Sequence, residues 1–217
     1  MLNKSIEDYL KNIYTIKLAA GRVSTSLLAE KLCVSAAAVS DMVSKLSKTG
    51  YIKNTPYKGF ELTKKGQGIA INLIRKHRIW EVFLLKHLKY PWEQVHTEAE
   101  NLEHASSDEL ILKLEDFLEF PKYDPHGDPI PDRNGKFIHD ELKPLSNIDI
   151  GKTVTIKRVP DENPEVLLYL TKTGLKLNDK VKVVGKINFD NSIQILAKKN
   201  KIFLSEKLAN SIFVDYK

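Results

Sequence analysis

Between residues 77 and 104, six side chains able to bind a divalent cation recur at helical spacing: His77, Glu81, His96, Glu100, Glu103 and His104. His77 and Glu81 are spaced i, i+4. His96, Glu100, Glu103 and His104 are spaced i, i+4, i+7, i+8. On helices each set shares one face. Tyr90-Pro91-Trp92 separates the two sets, and a proline disfavours helix in the residue before it. Two helices joined by a short turn would each present a stripe of imidazoles and carboxylates. That donor set, with no thiolate, suits a borderline-to-hard ion such as Mn²⁺, Fe²⁺ or Zn²⁺. Taken singly, each residue is equally at home on a solvated helix face; their convergence carries the metal reading. Ile74, Ile79, Val82, Phe83 and Leu102 fill other positions, as in packed helices that carry a polar site.

The elements before this stretch predict a nucleic-acid-binding unit. Of 34 Lys+Arg and 28 Asp+Glu, the first 72 residues hold 11 and 5, leaving 23 of each in the rest. The whole excess of +6 therefore sits in the first third, the footprint expected of a phosphate-binding module. Residues 5–18 read as an amphipathic helix, with Ser5 as its N-cap and Asp8 at the capping-box position. Two short helices follow, one started by Ser24-Thr25-Ser26 and running to Leu32 and one, capped by Ser35, at 36–48, joined by about three residues: a helix-turn-helix. The second opens with Ala36, Ala37 and Ala38, whose small side chains allow close entry to a major groove. Ser40 and Asp41 are placed for base edges, Lys45 and Lys48 for phosphates. Tyr51-Ile52 and Phe60-Glu61-Leu62 read as strands of a hairpin wing, with Lys53, Tyr57 and Lys58 at its tip for backbone contacts.

A long helix from Thr63 to about Leu88 would carry His77 and Glu81. A second, from about Glu93 to His104, and a third opened by Ser106-Ser107-Asp108-Glu109 supply apolar surface beyond the needs of a monomer, so a dimer is expected. Residues 121–146, rich in proline and glycine, read as a linker in which His126 and His139 are solvated. After Ile148, β-branched alternating runs at 153–159, 180–187, 192–196 and 211–214, with a short helix ended by Gly174, predict a small β-barrel. The expected architecture is multi-domain α+β. It comprises a winged helix-turn-helix (1–72), a helical metal-binding and dimerisation domain with its linker (73–146) and a β-barrel (147–217).

The single cysteine, Cys33, excludes an internal disulfide or thiolate cluster. It lies in the helix-turn-helix connection and is expected to be a small buried apolar residue. No apolar run reaches the length of a membrane span, and the first residues lack a signal-peptide core. A cytoplasmic location is expected.

The chain resembles the DtxR/MntR family of metal-dependent transcriptional repressors in its long form. The matching pieces are Asp8-Tyr9-Leu10, the winged helix, Lys76-His77-Arg78 with Glu81, the run Val95 to His104 with its His-x₃-Glu-x₂-Glu-His, and Asp124 to Pro131. The last domain resembles the SH3-like (FeoA-type) domain of longer members. The resemblance implies a homodimer that binds double-stranded operator DNA when loaded with metal, and two metal positions per subunit. One would use Asp8, Glu100, Glu103 and His104. The other would use His77, Glu81 and His96 with an acid of the third domain, Asp161 by preference and Glu162 in reserve. Iron-responsive members have a thioether and a thiol at the Asp8 and Glu100 positions; carboxylates there shift preference towards Mn²⁺. Fe²⁺ is the alternative, and Zn²⁺ or other divalent ions could substitute in vitro. Short manganese members carry an acid where this chain has Lys11, which implies two separated sites rather than their two-ion cluster.

The expected function is Mn²⁺-dependent repression of manganese or iron uptake genes, with no enzymatic activity. Two rivals are an iron-responsive repressor of the same family and a metal-independent winged-helix regulator that senses a small molecule. A metalloenzyme would need an open coordination position and a nearby base or nucleophile, and no such constellation is visible.

Overall fold

The computed structural model describes residues 3–55, 59–161 and 163–216; Tyr57, Lys58 and Glu162 lie outside the described residues. The chain divides into two compact units. One comprises Met1–His77, Asn101–Ile111 and Pro131–Phe137, the other Arg78–Glu100, Leu112–Ile130 and Ile138–Lys217.

The first unit opens with α1 (Lys4–Ala20), α2 (Thr25–Leu32) and α3 (Ala36–Lys48). Each starts on a short polar side chain that accepts a first-turn amide: Asn3 from Ser5, Ser24 from Leu27, Ser35 from Ala38. Asn3 rather than Ser5 caps α1, because the chain is still extended at Asn3 and already helical at Ser5. Asp8 consequently lies beyond the first turn, out of capping-box reach. Cys33 is exposed, not buried: it is the left-handed residue, φ 53°, that closes α2. Its place in the turn is set by backbone geometry rather than by packing. Helix α3 buries Val39 and Leu46 and leaves Ser35, Ala37, Ala38, Ser40, Asp41, Lys45 and Lys48 exposed.

Strands β1 (Ile52–Thr55) and β2 (Gly59–Leu62) form the antiparallel wing, paired from Ile52↔Leu62 to Thr55↔Gly59. Gly59 also bridges Val23, before α2. The unit's core gathers Leu10, Ile13, Leu28, Val39, Leu46, Ile52 and Phe60 with Ala70 of α4 (Lys64–Lys86). Parts of α5 (Val95–Ala105) and α6 (Asp108–Phe117) belong to the same unit. They are tied to α4 by Lys76 Nζ, 2.7 Å from the Ser106 carbonyl and 2.9 Å from Asp108, and by Asn72, which donates to Asp108 at 3.0 Å.

The second unit is built on a six-stranded sheet with order β3-β8-β4-β5-β6-β7 and antiparallel pairings. Its strands are β3 (Lys143–Pro144), β4 (Thr153–Arg158), β5 (Lys180–Lys186), β6 (Ile193–Ala197), β7 (Asn200–Leu204) and β8 (Phe213–Asp215). Alternation buries Val154 and Ile156, Val181 and Val183, and Ile193 and Ile195 in one core. Leu167 and Leu170 of α7 (Pro164–Thr173) join it, and Gly174, φ 74°, ends that helix. The run expected as a strand at 211–214 is divided: Ser211 ends a short helix α8 (Glu206–Ser211), and β8 starts at Phe213. Ser205 caps α8 by accepting from Leu208, a start signal inside an apolar run. His139 is exposed, as expected, but His126 is fully buried. The segment around it is ordered irregular chain, held by backbone bonds such as Val159 N to His126 O at 3.0 Å.

Gly59 and Gly21 test the wing's attachment. Both have positive φ, 81° and 72°, but a Cβ on Gly59 would lie 2.3 Å from the Val23 carbonyl oxygen, whereas one on Gly21 meets nothing within 4 Å. Gly21→Ala should cost about 1 kcal/mol from backbone conformation alone. Gly59→Ala should cost distinctly more, read as the larger fall in thermal midpoint. Equal losses would remove the claim that wing and helix-turn-helix are locked together there.

Candidate metal centres and nucleic-acid surface

In the second unit, Glu81, Asp124, His126 and Asp161 bring one ligand atom each to within 4.8 Å of one another. Helix α4 supplies Glu81, the turn after β4 supplies Asp161, and the irregular loop supplies Asp124 and His126. Asp124 organises its own loop. Its Oδ1 accepts the amides of His126 at 2.8 Å and Asp128 at 3.0 Å, which leaves Oδ2 to face the cluster. The loop lies so close to β4 that a Cβ on Gly127 would stand 1.9 Å from the Lys157 carbonyl oxygen. Only glycine fits.

His126 is fixed by a hydrogen bond on the far side of its ring. Nε2 lies 2.9 Å from the carbonyl oxygen of Trp92, which can only accept, so Nε2 carries the hydrogen. Nδ1 is left for the cluster, 3.7 Å from Glu81 Oε1, and it makes no hydrogen bond. Trp92 is itself anchored: its indole donates to Thr171 of α7 at 2.8 Å and stacks on His126 at 6.0 Å. A ligating histidine is commonly oriented by such a partner on its other nitrogen.

This cluster has the electrostatics of a cation site. The side chains of Glu81 and Asp124 are fully buried. Burial holds the Asp124 carboxyl well above the usual carboxylate range, and the charges of Glu81 and Asp128 push the same way, against the Arg78 guanidinium. Asp124 Oδ2 makes no hydrogen bond; Arg78 Nε stands 3.5 Å away. His96 closes one side, with Nδ1 at 3.6 Å from Glu81 and 3.7 Å from Asp161. Burial disfavours charge on His96, but those two carboxylates outweigh it and raise its pKa to about 10. At these separations the pairs are charge contacts rather than well-formed hydrogen bonds. Three carboxylates, one imidazole and unsatisfied buried donor atoms fit a hard-to-borderline divalent ion.

A second cluster lies in the first unit: Asp8 on α1 with Glu103 and His104 on α5. His104 Nε2 is 2.9 Å from Asp8 Oδ1 and 3.4 Å from Glu103 Oε1, yet it makes no well-aligned hydrogen bond. Its Nδ1 lies 2.7 Å from Glu7, a carboxylate that can only accept, so Nε2 is the nitrogen left to face Asp8 and Glu103. Two carboxylate oxygens facing an imidazole lone pair call for a cation between them. On the other side of Glu103, Oε2 lies 2.5 Å from His77 Nδ1, and Lys11 Nζ lies 2.9 and 3.0 Å from the two oxygens.

The expected ligands lie at these centres. Asp8, Glu103 and His104 meet, and Glu81, His96 and Asp161 meet. His77 belongs to the first unit, against Glu103. Glu100 belongs to the second, with Oε1 3.9 Å from His96 Nε2. Sequence reasoning missed Asp124, His126 and Glu7. The first two lie in a loop with no periodicity to read; Asp-x-His-Gly-Asp, an Asx-turn signature around a glycine, was the available signal. Glu7 neighbours Asp8, and adjacent helical residues do not share a face.

Around α3, an open cleft of about 810 Å³ is lined by Arg22, Ser24, Thr25, Ser26, Ser40, Ser44 and Lys48 among others. Hydroxyls flanked by cations, at the start of α2, are suited to phosphate oxygens. The charge count had pointed to this region without naming Arg22 or the serines of α2.

Metal binding at the second unit's cluster should release protons, because Asp124 and His96 hold theirs to higher pH than ordinary side chains. Mn²⁺ affinity there should fall as pH drops from 8 to 6, by up to about tenfold per unit for each proton displaced. Calorimetry in buffers of different ionisation enthalpy reads the proton count. Affinity independent of pH would sink this account.

Three family descriptions match the chain: the iron dependent repressor N-terminal DNA binding domain at residues 1–60, its metal binding and dimerisation domain at 63–132, and the FeoA domain at 143–216. The iron-dependent repressor IdeR of Mycobacterium bovis is 36% identical over 158 residues, 73% of this chain and 67% of that protein. A manganese-dependent transcriptional repressor solved in complex with manganese superposes with a TM-score of 0.88 at 34% identity, over 98% of this chain and 100% of that one. The manganese regulator SloR gives a TM-score of 0.81 at 36% identity over the whole of both chains. With a winged helix, cation-seeking clusters and matches along nearly all its length, the chain belongs to the DtxR/MntR family of metal-dependent transcriptional repressors.

Proposed function

We propose that the protein is a Mn²⁺-activated, homodimeric repressor of metal-uptake genes, acting in the cytoplasm on double-stranded operator DNA and without enzymatic activity. The working parts are a DNA-binding domain (1–72), a metal-binding and dimerisation domain (73–146) and an SH3-like domain (147–217). The observation that carries the metal assignment is the cluster of Glu81, Asp124, His126 and Asp161, all oxygen and imidazole donors, in which the buried Asp124 Oδ2 and His126 Nδ1 make no hydrogen bond. Such donors suit Mn²⁺, and the one cysteine sits at the end of α2. The name of the IdeR relative favours Fe²⁺ as a second reading with the same ligands.

The bound ion supplies positive charge. The chain's own residues turn that charge into geometry. Asp8 stands on α1, which packs against α2, while Glu103 and His104 stand on α5. Holding Asp8 to Glu103 and His104 fixes the DNA-binding helices against α5. In a two-fold dimer that angle sets the spacing of two α3 helices, which must match successive major grooves. Ions that bind this arrangement better shift the population towards it, and DNA tightens metal binding in return. Exposed Ser35, Ala37, Ala38, Ser40 and Asp41 would face base edges, with Lys45, Lys48, Tyr57 and Lys58 towards the backbone. No described helix is long and apolar enough to cross a membrane.

A dimer needs an apolar face. Phe117 and Phe120 are each 59% exposed, and Phe117 packs on Phe83 and His87 at 6.2 and 4.7 Å. Phe117→Glu should convert the dimer to monomer in sedimentation velocity; an unchanged dimer would place the interface elsewhere.

The deciding experiment is fluorescence anisotropy on DNA upstream of the protein's own gene and neighbouring transporter genes. Salt is fixed, because phosphate contacts dominate affinity. Binding should appear only when Mn²⁺ replaces chelator, exceed that with Zn²⁺, and weaken at least about 100-fold in Glu103→Ala and in His126→Ala. A stronger response to Fe²⁺ at matched free concentration selects the iron reading. Equal binding in chelator removes the metal-dependent one.

A further inference from the structure

The 23 basic and 23 acidic residues beyond position 72 are unevenly spread. Residues 73–146 hold 10 and 15, and residues 147–217 hold 13 and 8. The zero balance conceals a second basic region, +5, in the part of the chain that carries the six-stranded sheet. Strand register collects some of that charge on one face. Thr153, Lys182, Leu196 and Lys201 stand opposite one another in a row across β4, β5, β6 and β7. Lys180 shares this face with Lys182, while Val181 and Val183 point into the core. The backbone spacing is roughly 7 Å from Lys180 to Lys182 and roughly 10 Å from Lys182 to Lys201. All three lysines are exposed, and none makes an ion pair among the described residues. Lys198, at the turn before β7, differs: Asp179 lies 3.5 Å from its ammonium. A lysine on β7 has a ready explanation, because charge on an outermost strand keeps a free edge from pairing. Strand β5 has a neighbour on either side, so Lys180 and Lys182 protect no edge. Their mutual repulsion is a cost that only an arriving polyanion offsets.

We propose that this sheet face is a second DNA-contacting surface, whose lysines meet duplex phosphates outside the segment read by α3. The inference rests on the repressor reading above, which supplies the duplex. Charge complementarity identifies the occupant. Duplex DNA carries one negative charge per about 1.7 Å of its axis, so several phosphates fall within reach of three ammoniums on flexible stems. Lysine meets phosphate as a point charge and reads no base, and Thr153 beside Lys182 adds a hydroxyl of the kind that donates to phosphate oxygens. The face therefore lengthens the footprint and adds salt-dependent affinity, and leaves sequence preference to the winged helix.

The test varies duplex length and salt. Full-length protein with Mn²⁺ is titrated against the duplex found in the anisotropy experiment above. One version is trimmed to its minimal length, and another is extended by about one helical turn, roughly 10 base pairs, at each end. Wild type should bind the long duplex more tightly and with the steeper dependence on salt. A triple variant, Lys180→Gln with Lys182→Gln and Lys201→Gln, should lose that gain. Its salt slope on the long duplex should fall by about 0.9 for each phosphate contact removed, with the slope on the short duplex unchanged. Matching circular dichroism and an unshifted Mn²⁺ midpoint on the short duplex show that fold and metal response are intact. Lys172→Gln with Lys176→Gln and Lys207→Gln removes equal charge from α7, the chain after it and α8, and should keep the gain. Equal losses in the two triple variants reduce the effect to net charge and overturn the proposal. So does a wild type that gains nothing from the longer duplex. Phe203, 54% exposed on the same face, is the kind of ring on which an unpaired base stacks, so a single strand of equal length is measured too. Preference for the single strand overturns the duplex assignment. Loss of the dimer by the first variant in sedimentation velocity makes the face an interface between copies, with the same consequence. If Mn²⁺-loaded wild type binds no duplex, the repressor reading falls as well. Metal-dependent binding that ignores both length and the three lysines removes this inference alone.

Discussion

Buried carboxylates without enough positive charge are the constraint on which this molecule turns. Glu81, Glu103 and Asp124 have no exposed side-chain surface. Removing an ionised carboxylate from water is costly unless a cation and hydrogen bonds replace the solvent. The chain meets the need only in part: His96 and Arg78 stand at 3.5–3.6 Å in one cluster, and Lys11 closes on one side of Glu103 in the other. What remains is unsatisfied donor atoms on His126, Asp124 and His104, aimed inward. The deficit is what makes the fold responsive, because a structure already balanced would gain little from an ion.

The two clusters solve the positioning problem differently. Around Asp8, Glu103 and His104, regular helices do the work, and each ligand is placed by the rotation and register of α1 and α5. Around Asp124 and His126, irregular chain does it. There the Asp124 side chain accepts two loop amides, Gly127 allows the close approach to β4, and Trp92 locks the imidazole from behind. Through the Trp92 indole and Thr171, that imidazole is tied to α7, so the β-sheet portion helps to hold a ligand it does not itself contribute.

Much of this was legible in the sequence wherever periodicity governs. The capped helices around the turn, the hairpin wing and the alternating strands announce themselves through spacing and punctuation, and so do the helical faces of Glu81, His96, Glu103 and His104. Spacing shows which residues share a face, not what that face meets. That His77 Nδ1 lies 2.5 Å from Glu103 is such a meeting, and no spacing announces it. Asp124 and His126 were hidden because a proline- and glycine-rich stretch reads as linker, and burial of a loop depends on contacts distant in sequence. Cys33 was misread because a left-handed turn residue answers to backbone geometry rather than to its side chain's polarity.

The candidate ligands of the second unit's cluster are also far apart along the chain. Positions 81 and 124 are separated by 43 residues, and 126 and 161 by 35. An ion joining them closes two long loops, and the entropic cost of loop closure grows only slowly with length. In a chain whose single cysteine allows no internal disulfide, an ion held there would be a reversible cross-link of the folded state, its binding free energy adding to folding stability. The sensor and the staple are then one object: the protein that reports metal scarcity is also the one whose chain is least restrained when metal is scarce.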